Sequence, residues 1–200
     1  MVTLLETDAL FVTLASTNVV ASGRGCTLTG AGGELVATAR DHTSGLSRLG
    51  RVLGNSGRAR YDWTVSDAED RRLLEVVKPR TTMRGFAPEV SLANGSLLGR
   101  AVPTRGRTPT TPASLQAPDG RVLGELVPAL GERRSQPVLM YRVVEGEGDD
   151  AAEVGEIAIA TEGAWGFHVG FGPEADLSVR ALTIAWTLCL VQARSTTWSP

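Results

Sequence analysis

The sequence predicts a mainly β protein: a closed antiparallel barrel of about twelve strands around a buried C-terminal hydrophobic helix, in a single domain over residues 1–200. Three observations predict it. Short alternating or apolar runs bounded by Gly, Asn, Asp and Pro recur about a dozen times, the pattern of strands joined by tight turns. Two hairpin-like segments are near copies of each other. The chain then closes on a helix-length stretch that is apolar on every side.

The strand runs come in order. They include ALFVTLA (Ala9 to Ala15), GCTLTG, GELVATA, RYDWTVS (Arg60 to Ser66), RLLEVVK (Arg72 to Lys78), PVLMYRVV (Pro137 to Val144) and VGEIAIA (Val154 to Ala160). Before residue 176 no segment sustains a helical period, apart from a weak one over Glu69 to Val77. The near copies are SLANGSLLGRAV (Ser91 to Val102) and SLQAPDGRVLGELV (Ser114 to Val127). Each reads as strand, turn, strand, with Asn94-Gly95 or Asp119-Gly120 at a two-residue turn that needs positive φ. In each, Gly99 or Gly124 follows an apolar pair, where a strand bulges or bends around a curved sheet. A fainter third copy is LTGAGGELVATA (Leu28 to Ala39).

The last element is LSVRALTIAWTLCLVQA (Leu177 to Ala193), which carries no charge between Arg180 and Arg194. A helix apolar all round has to be surrounded by protein or by lipid. Its uncharged stretch is 13 residues, short of the roughly 20 that span a bilayer, so protein is the predicted surrounding and no transmembrane segment is expected. Asp176 or Ser178 caps its start, with the turn at Pro173 just before. A sheet closed on itself is the simplest wrapper for such a helix, and closure also removes exposed edge strands.

Composition fits one packed domain, with 42% hydrophobic and 21% charged residues. The net charge of -2, from 20 Lys+Arg against 22 Asp+Glu, gives no global field toward nucleic acid or a membrane surface. Any anion binding must come from a local patch, and no nucleic-acid partner is expected. Cys26 and Cys189 lie far apart in sequence, and Cys189 sits in an apolar run as a small hydrophobe, so no disulfide is expected. The first residues, MVTLLETDALFVTLAS, carry Glu6 and Asp8 where a secretory signal needs a basic start. A cytoplasmic location follows, peripheral at the membrane if lipid is bound.

The segment GFHVGFGPEADLSVRALTIAWTLCLVQA resembles the last strand, acidic turn and central helix of the tubby-like superfamily, which includes tubby proteins, phospholipid scramblases and LURP-one-related proteins. The shared pattern is an aromatic-Gly strand, a Pro-x-x-Asp type turn, an Arg, and an aliphatic helix. The hairpins DGRVLGELV and NGSLLGRAV are similar to that superfamily's repeated Asp-Gly hairpin units. By architecture the resemblance covers nearly the full chain, by motif roughly 60 residues. It implies a barrel around a helix and, as an expectation, binding of phosphoinositides or association with membrane lipid. The Pro-rich, Cys-rich extension and the acidic calcium segment of scramblases are absent from this sequence.

Enzyme signatures are missing. GAGGEL (Gly30 to Leu35) lacks the third Gly of a dinucleotide loop and leads into a strand rather than a helix. There is no phosphate-loop Gly-x-x-x-x-Gly-Lys and no Gly-x-Ser-x-Gly elbow. His42 beside Asp41 and His168 in the last strand are the only histidines, too few for a triad or a metal centre. His42 acts as a base only with a nucleophile such as Ser44 or Ser47 held against it. EGEGDDAAE (Glu145 to Glu153) reads as a solvated hairpin tip, and the sequon Asn94-Gly95-Ser96 as a turn. No catalytic residue, metal or cofactor is assigned.

Charge is lopsided in one place. Between Arg71 and Arg107 lie Arg71, Arg72, Lys78, Arg80, Arg84, Arg100, Arg105 and Arg107 against Glu75 and Glu89. Two loop-like segments, KPRTTMRG (Lys78 to Gly85) and PTRGRTPTTP (Pro103 to Pro112), hold most of it. If both open on one end of the barrel they form a basic rim for phosphate headgroups. The expected anion-binding residues are Lys78, Arg80, Arg84, Arg105 and Arg107. The reading is a non-enzymatic binding module for anionic phospholipid or phosphoinositide headgroups. The alternatives are a structural barrel that presents loops to a protein partner, and an enzyme whose site leaves no motif.

Overall fold

The computed structural model describes residues 4–14, 25–43, 60–79, 87–104, 112–133, 136–146, 150–160 and 166–195. Its strands are β1 (Ala9–Leu14), β2 (Cys26–Gly30), β3 (Leu35–Asp41), β4 (Tyr61–Asp67), β5 (Arg72–Lys78), β6 (Glu89–Leu92), β7 (Leu97–Pro103), β8 (Ala113–Gln116), β9 (Val122–Arg133), β10 (Gln136–Glu145), β11 (Ala152–Ala160) and β12 (Gly166–Phe171). A single 3-10 turn, Leu4–Glu6, precedes them and one helix, α1 (Leu177–Ser195), follows. Each strand runs antiparallel to its neighbours in chain order, and β12 pairs with β1 to close the barrel. Glu69 to Val77, where a weak helical period stood, is the end of β4's turn and most of β5. The β-branched and aliphatic alternation of Leu74, Val76 and Val77 wins there, because a pleated strand with one buried face satisfies it directly.

Alternation decides what lies inside. Leu10 and Val12, Leu28, Trp63 and Val65, Leu74 and Val76, Tyr141 and Val143, Phe167 and Val169 are all buried, one residue in two along their strands. Along the middle of the barrel runs α1, and every residue from Val179 to Gln192 is buried. It packs most closely along β7, β1, β12 and β6. Small residues make room for it: Gly99 and Ala101 line the inside of β7, and Leu182 fills the space beside Gly99.

The helix is anchored where it enters. Asp176 is its N-cap, with Oδ1 accepting from Ser178 N at 2.7 Å. One turn later Arg180, 4% exposed, donates to Ala175 O (3.1 Å), Thr7 O (3.3 Å) and Gly172 O (2.7 Å), and pairs with Asp8 Oδ1 (3.2 Å). Its guanidinium lies over the Phe171 ring, 5.1 Å from the centroid. A charge at this depth is stable because each face of the planar fork finds an acceptor or a ring.

Four hairpins share one turn. In β6–β7, Leu92 N donates to Ser96 O and Gly95 N to Leu92 O, both at 2.9 Å. The same pair of bonds joins Ala117, Arg121 and Gly120 in β8–β9, Gly30, Glu34 and Gly33 in β2–β3, and Asp67, Arg71 and Asp70 in β4–β5. These are three-residue loops with one left-handed residue, at φ +81 (Gly33), +64 (Asp70), +83 (Gly95) and +88 (Gly120). The two-residue turns expected at Asn94-Gly95 and Asp119-Gly120 are therefore corrected. Asn94 and Asp119 do not need positive φ, because each side chain accepts the backbone N–H two residues on, at 2.9 Å, and so holds a right-handed turn residue ahead of the glycine.

Past each turn the register slips by one residue, leaving Val36, Leu73, Leu98 and Leu123 as unpaired bulges, with Val154 equivalent in β10–β11. All five pack against the core. Gly99, Gly124 and Gly155 directly follow three of them, where the next strand's carbonyl passes too close for a side chain.

Candidate anion-binding end of the barrel

Antiparallel closure gives the barrel two unlike ends. The tight hairpins β2–β3, β4–β5, β6–β7, β8–β9 and β10–β11 lie at one end, together with the step from β12 into α1. Every other connection joins strands at the opposite end. Between the strands and helix at the hairpin end the sequence holds nine Asp or Glu and two Arg; in the connections at the opposite end it holds ten Arg and one Glu. A net charge of -2 thus conceals an uneven division of charge in the sequence between the two sets of connections.

Both segments proposed for the basic rim leave from strand ends on the side opposite the tight hairpins. β5 and β6 flank one, β7 and β8 the other, and β6 pairs directly with β7, so the strand ends they leave from are neighbours. Ala101 N donates to Pro88 O at 3.0 Å, and Thr104 N to Pro112 O at 2.9 Å, which fixes the strand ends from which they leave. Arg80, Arg84, Arg105 and Arg107 lie outside the described residues.

Lys78 lies at the same end but faces inward. It is the last residue of β5, on the inward face with Leu74 and Val76, and is 0% exposed. Its Nζ lies 5.5 Å from the centroid of the Tyr61 ring and 3.5 Å from Pro79 O. The expected rim contact is corrected for this residue: Lys78 closes the strand at the bound expected for it, and parity turns its side chain into the barrel. The same parity was visible in RLLEVVK.

The rest of the basic cluster also separates. Arg71 and Arg72 sit at the hairpin end. Arg71 is paired with Asp67 (2.7 Å) and Glu69, and Arg72 with Glu75 (2.7 Å). Burial pushes the Asp67 carboxyl up, but bonds from Arg71 and from Glu69 N outweigh it and hold the group below its ordinary value. Arg100 is exposed on the outer face of β7, donating to Gln116 Oε1 at 3.2 Å.

Inside the mouth of the arginine-rich end, around Lys78, polar and aromatic side chains replace the aliphatic core. Tyr61 and Trp63 stack with ring centroids 4.8 Å apart. Asp41, 6% exposed, accepts from Thr43 N (2.9 Å) and Thr43 Oγ1 (2.5 Å). Cys26 and Cys189 are buried free thiols. Burial, then Asp41 and Cys189, push the Cys26 thiol up to about 12 against a bond from Gln192, and burial pushes Cys189 up to about 12 against the nearby Lys78 charge.

The histidines stay apart. His42 is exposed just past β3, where its N–H donates to Asp62 O at 2.8 Å, and His168 is exposed on β12. Ser44 and Ser47 lie outside the described residues, as does the tip 147–149 of the acidic hairpin. Among the described residues no group of three or more His, Cys, Asp or Glu is placed to hold a metal ion. Among them, too, no helix is long and apolar enough to cross a membrane. Arg180, which sequence reading noted only as part of a family pattern, proves to be the anchor of the helix. Its partners Thr7 and Asp8 are some 170 residues away, beyond any local signal. No family model, no curated protein and no solved structure matches this chain.

Proposed function

We propose that the protein is a non-enzymatic binding module for anionic phospholipid headgroups, phosphoinositides among them, which docks peripherally through the arginine-rich end of the barrel. The carrying observation is the charge polarity: ten Arg and one Glu in the connections of one end, nine acids and two Arg at the other. Arginine grips phosphate oxygens with two parallel N–H bonds, and an acidic far end orients the molecule with its basic end toward an anionic surface. The resemblance to tubby-like barrels points to the same ligand class.

Each basic residue near an anionic membrane contributes about 1 kcal/mol. Replacing Arg80, Arg84, Arg105 and Arg107 by Ala together should therefore weaken binding by about 4 kcal/mol, roughly a thousandfold. The experiment is co-sedimentation with phosphatidylcholine vesicles, with and without phosphatidylserine or a phosphoinositide, at low and at high salt. Binding that needs the anionic lipid, fades with salt and is lost in the fourfold variant supports the proposal. A wild type that ignores anionic vesicles at low salt overturns it.

One observation favours a protein partner as the second reading. The three exposed large hydrophobic residues found among the described ones, Leu35, Leu97 and Leu177, all begin elements at the acidic hairpin end. A partner there would be captured by apolar contact and would survive high salt.

A further inference from the structure

We infer that Asn94 is a self-modification site: in the folded protein the Gly95 nitrogen displaces its side-chain amide, and the succinimide that forms opens to aspartate or to isoaspartate. Of the three asparagines in the chain, Asn94 alone is followed by Gly. The dipeptide stands exposed at the tip of the β6–β7 hairpin. Nothing lies within 4 Å of where a Gly95 Cβ would stand, so neither a side chain of its own nor a neighbour shields the attacking nitrogen.

The turn prepares the reaction in two ways. Asn94 Oδ1 accepts from Ser96 N at 2.9 Å, a bond that spans the Gly95 peptide and folds the carboxamide back over it. The same Ser96 N–H is a donor on the oxygen that gains negative charge as the nitrogen attacks. One contact holds the reaction back. Gly95 N–H donates to Leu92 O at 2.9 Å, and that bond must break before the nitrogen can shed its proton. Deamidation is therefore slow, and it speeds up at alkaline pH and whenever the hairpin tip opens.

The chemistry balances without an oxidant or a cofactor. The Gly95 nitrogen bonds to Asn94 Cγ, the Cγ–Nδ2 bond breaks, and the amide leaves as ammonia with the proton that the nitrogen gave up. Water then adds to one of the two imide carbonyls. Addition at Cγ restores the peptide and leaves aspartate. Addition at the backbone carbonyl leaves isoaspartate, with the chain running through the former side chain.

The near copy of this hairpin shows which product the fold accepts. In β8–β9, Asp119 stands where Asn94 does: its Oδ1 accepts from Arg121 N at 2.9 Å, Gly120 N donates to Ala117 O at 3.0 Å, and Gly120 has φ +88 against +83 at Gly95. Aspartate is a native occupant of this turn, so the aspartate product keeps the hairpin and adds one negative charge. Isoaspartate puts an extra backbone carbon into the loop that Leu92 and Ser96 close, and so disturbs the register of β7, which packs on α1.

The inference is independent of lipid binding and rests on the hairpin alone. The test incubates the full chain at alkaline pH, separates its charge forms by ion exchange, and maps each by peptide mass and by methylation with an isoaspartate methyltransferase. The expected result is two more acidic forms, both modified at residue 94, which accumulate faster in unfolding urea. The aspartate form should melt with the wild type and with Asn94→Asp, and the isoaspartate form should melt lower. Asn94→Ser, whose hydroxyl can hold the same kind of turn, should yield neither. Folded protein that keeps its Asn94 amide while the urea-unfolded chain loses it overturns the inference. So does an isoaspartate form that melts with the wild type.

Discussion

At Gly120 the backbone sits at φ +88, with nothing within 4 Å of where a Cβ would stand, so a substitution there is governed by backbone conformation alone. A β-branched residue in that region is disfavoured, and Gly120→Val should lower stability by about 1–2 kcal/mol. Asn in its place should lower it less, and urea denaturation reads both. Lys78 gives a second residue-scale expectation. Because its ammonium is enclosed beside Tyr61, Lys78→Met should leave affinity for anionic vesicles unchanged while the arginine variants lose it. The thiols give a third. Their pKa values are raised on folding from 9.0 to about 12, so the folded state holds its protons more tightly than the unfolded one. That stability is fully present below pH 9.0 and is lost as pH rises toward about 12. Urea titrations across this window should show the decline in the wild type and a flatter curve in the Cys26→Ala, Cys189→Ala double variant.

At the scale of elements, the helix is the part that cannot be exchanged. Val179, Leu182, Ile184, Trp186, Leu188, Leu190 and Val191 are each at most 1% exposed. Burial stabilises such side chains by about 1.5–3 kcal/mol each, so together they are as large as the roughly 5–15 kcal/mol by which a domain is stable. Ala185→Glu places a carboxylate at 0% exposure among them and should abolish the cooperative melt in circular dichroism. This element was legible in the sequence because no rotation of LSVRALTIAWTLCLVQA presents a polar face to water. The strands were legible for the complementary reason, an alternation with period two between Gly, Asn and Asp. The hairpin geometry was not, since Asn-Gly and Asp-Gly suit both a two-residue turn and the three-residue loop, and the Asn94 and Asp119 side-chain bonds that decide between them are not a matter of composition. For the candidate site, the clustering of arginine in sequence was legible. Its division between two ends was not, because Arg72 and Lys78 are six residues apart on one strand that crosses the whole barrel wall.

At the scale of the molecule, closure does two things at once. It removes every sheet edge, and it gathers alternate strand ends at opposite ends, so that the acid-rich and the arginine-rich connections of an even-handed composition leave the sheet from different ends. Both depend on one claim, that the strands close around their own C-terminal helix as filler. Without it, the inward residues of all twelve strands would face a void or water. The most direct measurement compares the full chain with a chain ending at Asp176, by thermal melting and amide proton spectra. The account predicts that the shortened chain is insoluble or molten, with no cooperative transition and collapsed amide dispersion. A cooperative melt with a dispersed spectrum would show that the strands hold their shape unaided and would contradict a barrel built around its helix.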